Sequence, residues 1–184
     1  IDPISKRYAI LLNTQTSTDY LTNIVTKKIY NSYSSDYFLP ISETTNKYLG
    51  TQLQGSTTSV TNYFAPSFGV GSNYHIGRPK DITTTTTVYV DTPSGTPDTK
   101  TSKIEYAYNN GNLSQTKKTP NSDTVSIIED FTYFSNGLLQ SKTISATGTT
   151  AANQVAPRTT TFTYDTTNRF VKTIRDPELM VTTN

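Results

Sequence analysis

Aromatic and polar residues alternate in three segments of the second half of the chain, and this pattern predicts β-hairpins. Each segment begins with two aromatic residues two positions apart, which places both rings on one face of a strand. A turn residue that tolerates positive φ follows, and an apolar residue then restarts a return strand. The residues are Tyr106, Tyr108, Gly111 and Leu113 in the first segment, Phe131, Tyr133, Gly137 and Leu139 in the second, and Phe162, Tyr164, Asn168 and Phe170 in the third.

These segments define three tandem repeats, which we place at 103–127, 128–158 and 159–184. Their spacing is irregular, but a sheet built from hairpins tolerates loops of different length at small entropic cost. Residues 27–102 carry degenerate versions of the same pattern. Within them the tract Thr83 to Thr87 is flanked by Ile82 and Val88 and therefore predicts a strand. Residues 1–26 form an N-terminal strand region in which the pattern is least defined.

The residue after the second aromatic has a predicted role in the turn. Asp165 and Asn109 can each accept a hydrogen bond from the backbone N–H two residues further on, whereas Phe134 cannot. Asp176 and Pro177 close the third segment, because proline lacks a backbone donor and suits the end of a ladder strand.

The composition supports an all-β protein with many solvated faces. The chain has 37 threonines, 13 tyrosines and 7 phenylalanines, and these residue types favour strands. Hydrophobic residues make up only 33% of the chain, which raises the alternative of intrinsic disorder. Disordered chains are poor in aromatic residues, so the composition argues against that alternative.

Charge, cysteine content and hydropathy exclude several classes of function. The net charge is +2 and the basic residues are scattered, so no nucleic-acid interface is expected. Cysteine is absent, which excludes a disulfide framework and a cysteine zinc site. The longest apolar run, from Tyr8 to Leu12, is far too short for a membrane span. The chain begins at Ile1 without a visible signal peptide and ends abruptly, so we expect a fragment or mature segment of a larger protein. The absence of cysteine in a chain rich in threonine, asparagine, serine and tyrosine fits bacterial exported and surface proteins.

Candidate catalytic residues are few. His75 is the single histidine and lies at a predicted turn without a nucleophile motif nearby. Glu129 and Asp130 are adjacent acidic residues that would face opposite sides of a strand. The run from Gly69 to Gly71 lacks the lysine and the helix of a phosphate-binding loop. We therefore expect a non-enzymatic protein without a metal or a cofactor.

The third segment, FTYDTTNRFVKTIRDP, resembles the signature of the Rhs or YD-repeat family. That signature has an aromatic residue, Tyr-Asp, a Gly-Arg-Leu turn and then Asp-Pro-x-Gly; here Asn168 replaces the first glycine and Leu179 the second. The second and first segments match less completely, and the stretch NYHIGRPKDITTTTT resembles one found between YD repeats. The resemblance covers about 155 residues and rests most on Phe162, Tyr164, Asp165, Arg169, Phe170, Asp176 and Pro177.

The resemblance implies a fold and a role. Successive antiparallel hairpins of YD-repeat proteins add side by side into one long curled sheet, which in longer members forms a hollow shell around a C-terminal toxin polypeptide. Implied partners are flanking repeats of the same polypeptide, an enclosed toxin or surface glycans, and the implied location is secreted or on the bacterial cell surface. The self-cleaving region that follows the repeats in shell-forming members has no match here.

Three alternatives remain open from the sequence. The chain could be a carbohydrate-binding module of the cell surface, a glycan-active enzyme, or an unrelated threonine-rich β-sandwich of the adhesin or pilin type. The tyrosine pairs bear on the first alternative, because aromatic rings stack on sugar rings. Since the rings recur at the same place in every repeat, we favour packing between neighbouring hairpins.

Overall fold

A computed structural model of the chain describes residues 11–36, 38–66, 76–89, 96–122, 124–148, 156–178 and 180–183. These residues form an all-β structure, as the sequence predicts, with a short 3-10 turn at Pro120–Ser122. The strands are β1 Thr14–Asp19, β2 Ile24–Tyr33, β3 Pro40–Leu49, β4 Gln52–Tyr63, β5 Pro79–Val88, β6 Asp98–Asn109, β7 Asn112–Thr119, β8 Ser126–Tyr133, β9 Leu139–Thr147, β10 Arg158–Tyr164, β11 Val171–Arg175 and β12 Val181–Thr183.

The order of the strands in the sheet is their order in the sequence, from β1 to β12. Strands that follow each other directly therefore lie side by side, and their ladders are antiparallel. This arrangement confirms the prediction of tandem antiparallel hairpins. The chain divides into two compact units, one of Ile1–Asn62 and Thr84–Lys100 and the other of Tyr63–Thr83 and Thr101–Asn184.

Threonine side chains organise the first unit. β2 pairs with β3 from Ile24 to Tyr33, and β3 pairs with β4 from Ser42 to Leu49. Hydroxyl groups bond across strands at Thr44 and Thr58, 3.1 Å apart, and at Thr57 and Thr86, 3.2 Å apart. The tract Thr83 to Thr87 lies within β5, which confirms its prediction as a strand.

The second unit contains the three sequence repeats. β6 and β7 form the hairpin of the first repeat, β8 and β9 that of the second, and β10 and β11 that of the third. The short strand β12 follows in the third repeat and pairs with β11. The sequence boundaries at 103 and 128 fall inside β6 and β8, because these strands begin at Asp98 and Ser126.

None of the apolar side chains of the described residues is fully buried. The fully buried residues are polar: Ser34, Asp81 and Ser126. A sheet of this kind depends on cross-strand side-chain pairs, each worth about 0.2–1 kcal/mol relative to alanine, more than on a central core. Both faces of the sheet are therefore available for contacts.

Candidate functional site

The register of the second unit places the recurring rings on one face of the sheet, which we call the aromatic face. Residues directly opposite each other in antiparallel strands share a face. Phe131 of β8 lies opposite Lys142 of β9, and Lys142 lies opposite Thr160 of β10, so these three residues share one face. The rings and apolar side chains that this face includes are Ile104, Tyr106, Tyr108, Leu113, Phe131, Tyr133, Leu139, Phe162, Tyr164 and Val171, and the same register places Thr116, Lys118, Glu129, Lys142 and Thr160 among them.

The opposite face carries hydroxyl groups. Thr132 bonds to Ser141 at 2.6 Å, and Thr143 bonds to Thr159 at 2.8 Å. Each bond links two neighbouring strands through side chains that also favour the extended backbone. The recurring rings of this unit therefore lie on one face, and the paired hydroxyl groups lie on the other.

Pairing between successive hairpins stops before the hairpin tips. β8 pairs with β9 along its whole length, from Ser126 to Tyr133, but it pairs with β7 only between Ile127 and Asp130. β9 and β10 likewise pair only as far as Ser141 and Thr161. The tips of neighbouring hairpins are thus left without a backbone ladder between them.

Tyrosine hydroxyls bridge these unpaired tips. The hydroxyl of Tyr133 donates to the carbonyl of Leu113 at 2.8 Å, and the hydroxyl of Tyr164 donates to the carbonyl of Leu139 at 3.1 Å. Donor and acceptor stand at the same positions in successive repeats. Burial raises the pKa of Tyr133, which keeps its hydroxyl protonated and able to donate.

Tyr108 occupies the corresponding position in the first repeat and is held by other groups. Its ring meets Phe64 edge-on at a centroid distance of 5.9 Å, and the guanidinium of Arg78 lies 4.8 Å from its centroid. Arg78 also donates to the carbonyl of Gly111, so it ties the segment before β5 to the tip of the β6–β7 hairpin. Burial raises the pKa of the Tyr108 hydroxyl.

Ring packing between hairpins occurs through a residue that the repeat pattern does not include. Phe134 meets Tyr164 edge-on at 6.2 Å, although the sequence identified Phe134 only as a departure from the Tyr-Asp motif. The signal that could have found it is an aromatic residue placed directly after the second ring of a repeat.

The three turn residues adopt the left-handed backbone that their positions require. Gly111, Gly137 and Asn168 have φ of 80°, 85° and 55°. Asn110 also has positive φ, 47°, so Asn110 and Gly111 form the two-residue turn that matches the twist of a hairpin. In the second repeat the Gly137 N–H donates to the carbonyl of Phe134 at 2.9 Å and closes a four-residue β-turn.

The predicted role holds in part for Asp165. The backbone N–H of Thr167, two residues on, is among the hydrogen bonds that lower the pKa of Asp165, and Asp165 Oδ1 accepts in addition from the amides of Arg169 at 2.9 Å and Phe170 at 3.2 Å, because its four-residue loop turns the closing amides back toward the carboxylate. Thr167 also donates to this carboxylate, and its bond is the main cause that lowers the pKa of Asp165. Asn109 makes no such bond with Gly111, since the tight turn after it is closed by backbone pairing.

Asp176 begins a further turn. Its Oδ1 accepts from the amides of Glu178 at 3.0 Å and Met180 at 2.9 Å, so it caps the connection between β11 and β12. Pro177 lies in this turn and follows Asp176, the first residue beyond β11. Arg169 and Phe170 lie in the preceding turn, and the Phe170 side chain is 71% exposed.

A polar cleft opens between the tips of the β6–β7 and β8–β9 hairpins, where pairing between β7 and β8 has ended. Its volume is about 460 Å³. Carboxamide, hydroxyl and aromatic groups line it, and none of its lining residues in the described ranges carries a charge. The lining residues are Asn109, Asn110, Asn112, Ser114, Phe131, Thr132, Tyr133, Phe134, Ser135 and Gly137.

The described residues offer little catalytic chemistry. Glu129 is bonded on the aromatic face to Lys142 at 2.6 Å and to Thr116 at 3.2 Å, and the Lys142 bond is the main cause that lowers its pKa. Asp130 points to the other face and accepts from Gln115 at 2.8 Å. Within the described ranges no group of three or more histidine or acidic side chains could hold a metal ion. His75 and the run from Gly69 to Gly71 lie outside the described residues.

No family model matches the chain, and no curated protein matches it. The resemblance to YD repeats accordingly rests on the residues of the repeats themselves. In the part of the chain that the structure describes, no helix combines the length and the apolarity needed to cross a bilayer.

Proposed function

We propose that this chain is a non-catalytic structural segment of an exported bacterial Rhs/YD-repeat protein, in which it supplies successive hairpins to a β-sheet shell or surface scaffold. The observation that supports this proposal is the tyrosine bridge between hairpins. It recurs from Tyr133 to Leu113 and from Tyr164 to Leu139 with the same donor and acceptor positions. Because the bond recurs once per sequence repeat, the same contact can join each hairpin of an array to the hairpin before it.

The two faces of the second unit suit such a scaffold. A sheet normally packs its apolar face against a second layer, and here the aromatic face is only half-buried. In the proposed parent protein, flanking repeats of the same polypeptide extend the sheet, and an enclosed toxin polypeptide or surface glycans contact its faces. The hydroxyl face, which is hydrogen-bonded within itself, then faces water.

The acidic residues support a structural role over a glycan-active enzyme. Hydrolysis of a glycosidic bond uses two carboxyl groups that flank the same bond, about 5–9.5 Å apart. Glu129 and Asp130 point to opposite faces, and each is already held by a neighbouring side chain. They therefore act as cross-strand links.

Fractionation of the source cells tests the proposal. An antibody raised against the 184-residue chain should detect an antigen in the medium or at the cell surface, as part of a much larger polypeptide. Electron microscopy of that purified polypeptide should show a continuous β-sheet particle. An antigen of the size of this chain in the cytosol would contradict both the location and the scaffold role.

A further inference from the structure

Asparagine is followed by glycine twice in the chain, and both pairs lie at hairpin tips. Asn110 and Gly111 join β6 to β7, whereas Asn136 and Gly137 lie between β8 and β9. This dipeptide is chemically reactive in water, because glycine has no Cβ and its backbone nitrogen can approach the preceding carboxamide closely. The two pairs are equivalent in sequence, so a difference in their reactivity must come from the fold.

The backbone sets the two asparagines apart. Cyclisation requires the glycine nitrogen to swing to the side of the asparagine Cβ around the Cα–C bond. Asn110 has φ of 47°. In this left-handed conformation ψ is about +30 to +50°, which points the next nitrogen almost opposite to Cβ.

The tip of the second repeat has a different turn. The Gly137 N–H closes it by donating to the Phe134 carbonyl, and neither Ser135 nor Asn136 has positive φ, so the turn is type I. In a type I turn ψ of the residue at the Asn136 position is about 0°, which brings the next nitrogen about 30–50° closer to Cβ than in the first repeat.

Hydrogen bonding and access act in the same direction. Asn136 Oδ1 accepts from the Leu138 N–H at 3.1 Å, so the carboxamide lies over the Gly137 peptide and its carbonyl is polarised. A Cβ built at Gly137 would meet no other part of the protein within 4 Å, so hydroxide can reach its N–H. The carbonyl of Gly111 instead accepts from the Arg78 guanidinium, which holds the tip of the β6–β7 hairpin in place.

We infer that Asn136 is a site of spontaneous deamidation, whereas the fold protects Asn110. Hydroxide removes the Gly137 N–H proton, the hydrogen bond to the Phe134 carbonyl breaks, and the nitrogen attacks Cγ of Asn136. A bond forms between this nitrogen and Cγ, the Cγ–Nδ2 bond breaks, and Nδ2 takes a proton from water and leaves as ammonia. Water then opens the resulting succinimide at either carbonyl, which leaves aspartate or isoaspartate at position 136.

The modification changes the charge and the shape of this tip. Ser135 and Gly137 line the polar cleft, whose lining in the described ranges is uncharged, so a carboxylate at position 136 places a negative charge beside it. Isoaspartate also routes the main chain through Cβ and lengthens the turn by one backbone atom. The site goes beyond the proposed scaffold role and does not depend on it, because only the tip of one hairpin takes part.

Peptide mapping by mass spectrometry follows the modification. The 184-residue chain is kept at mildly alkaline pH and physiological temperature, samples are digested at intervals, and the exchange of amide nitrogen for oxygen is quantified at both positions. We expect position 136 to react at least about tenfold faster than position 110, which needs a difference of only about 1.4 kcal/mol in the cost of reaching the reactive conformation. In denaturant both positions should react at similar rates.

Equal rates at the two positions of the folded chain overturn the inference, as does faster reaction at position 110. A difference that persists unchanged in denaturant also overturns it, because the fold would then not be its cause.

Two matched variants test which tip carries the reaction. Glutamine keeps the carboxamide, but its cyclisation would close a six-membered ring, which is much slower. Most of the isoaspartate that the folded chain accumulates should therefore disappear in Asn136→Gln and remain in Asn110→Gln. An unchanged isoaspartate content in a folded Asn136→Gln, or its loss in Asn110→Gln, overturns the inference.

Discussion

Removal of the tyrosine hydroxyls that bridge the hairpins is the most direct perturbation of this structure. In Tyr133→Phe the ring stays in place and only the 2.8 Å hydrogen bond to the Leu113 carbonyl is lost. In Tyr164→Phe the 3.1 Å bond to Leu139 is lost while the edge-on contact with Phe134 is kept. Each variant therefore isolates one bond between two hairpins.

The expected loss follows from the burial of these bonds. A neutral hydrogen bond contributes about 0.5–1.5 kcal/mol net to stability. Both tyrosines are half-buried, so water can replace the missing donor at the carbonyl and the loss should lie near about 1 kcal/mol in Tyr133→Phe. The Tyr164 bond is longer, so the loss of stability in Tyr164→Phe should lie toward the lower end of this range. Leu139, which accepts the Tyr164 bond, lies directly opposite Tyr133 in the β8–β9 ladder, so the loss in the double variant should differ from the sum of the two single losses.

Thermal unfolding and amide exchange measure the effect. For a chain of this length a loss of about 1 kcal/mol lowers Tm by about 2–4 °C. Exchange should accelerate about fivefold in the short β7–β8 ladder of Tyr133→Phe, and less within the β8–β9 hairpin, because the lost bond links separate hairpins. Tyr106→Phe is the control, since the Tyr106 hydroxyl bonds to no described residue while its ring lies on the same face.

The reasoning fails if Tyr133→Phe and Tyr106→Phe unfold at the same temperature and exchange at the same rates. Equal acceleration throughout the sheet would also contradict it, because the bond would then stabilise the fold globally and have no special role between hairpins.

Three further predictions concern turns, acid and the exposed face. Gly137→Ala should lower the free energy of unfolding by about 1–2 kcal/mol, because alanine is strained at positive φ. Gly148→Ala should lower it further, because the added Cβ would also overlap the Thr124 carbonyl oxygen. Equal losses of stability for the two variants in denaturant titrations would contradict this prediction. Folding lowers the pKa values of Asp165 and Glu129 below their ordinary 3.8 and 4.5, so both carboxylates stabilise the fold above those values, and this stabilisation is lost as the pH falls through the lower folded-state pKa values. Tm should therefore be flat from about pH 7 to 5 and fall below about pH 4.5. A Tm that rises on acidification would refute this prediction. The isolated chain should bind an apolar fluorescent dye at native pH, since its aromatic face is not covered, and a dye signal that appears only on unfolding would exclude an accessible apolar face.

The fold could be predicted from the sequence because its determinants are local. Rings two positions apart set the face, and residues such as Gly111 and Gly137 set the reversals, so each hairpin is specified within about 25 residues. The consecutive strand order then follows from the tendency of successive strands to lie side by side, even where the connection is as long as that from Tyr63 to Pro79. The threonine tract of β5 shows that a biased composition can still specify an ordinary strand.

The contacts between hairpins could not be predicted in the same way. The acceptor of the Tyr133 hydroxyl is a backbone carbonyl 20 residues away, and no side-chain pattern marks it. The guanidinium of Arg78 reaches Gly111 across 33 residues. Asp165 binds amides further along its loop than expected because the loop length, and not the residue type, decides which amides point at the carboxylate.

The form of the tyrosine bridge explains how such irregular repeats keep one architecture. The acceptor is a main-chain carbonyl, so any residue at the receiving position can serve, and only the donor must remain a tyrosine. Loops between hairpins can lengthen freely, as they do after β7 and β9, because the bridge forms between strands already aligned by their short ladder. The same tolerance lets the residue after the tyrosine change from Phe134 to Asn109, which converts a packed gap into an open cleft without altering the bridge. A repeat held together in this way tolerates different residues at its hairpin tips, because the contact between hairpins does not depend on them.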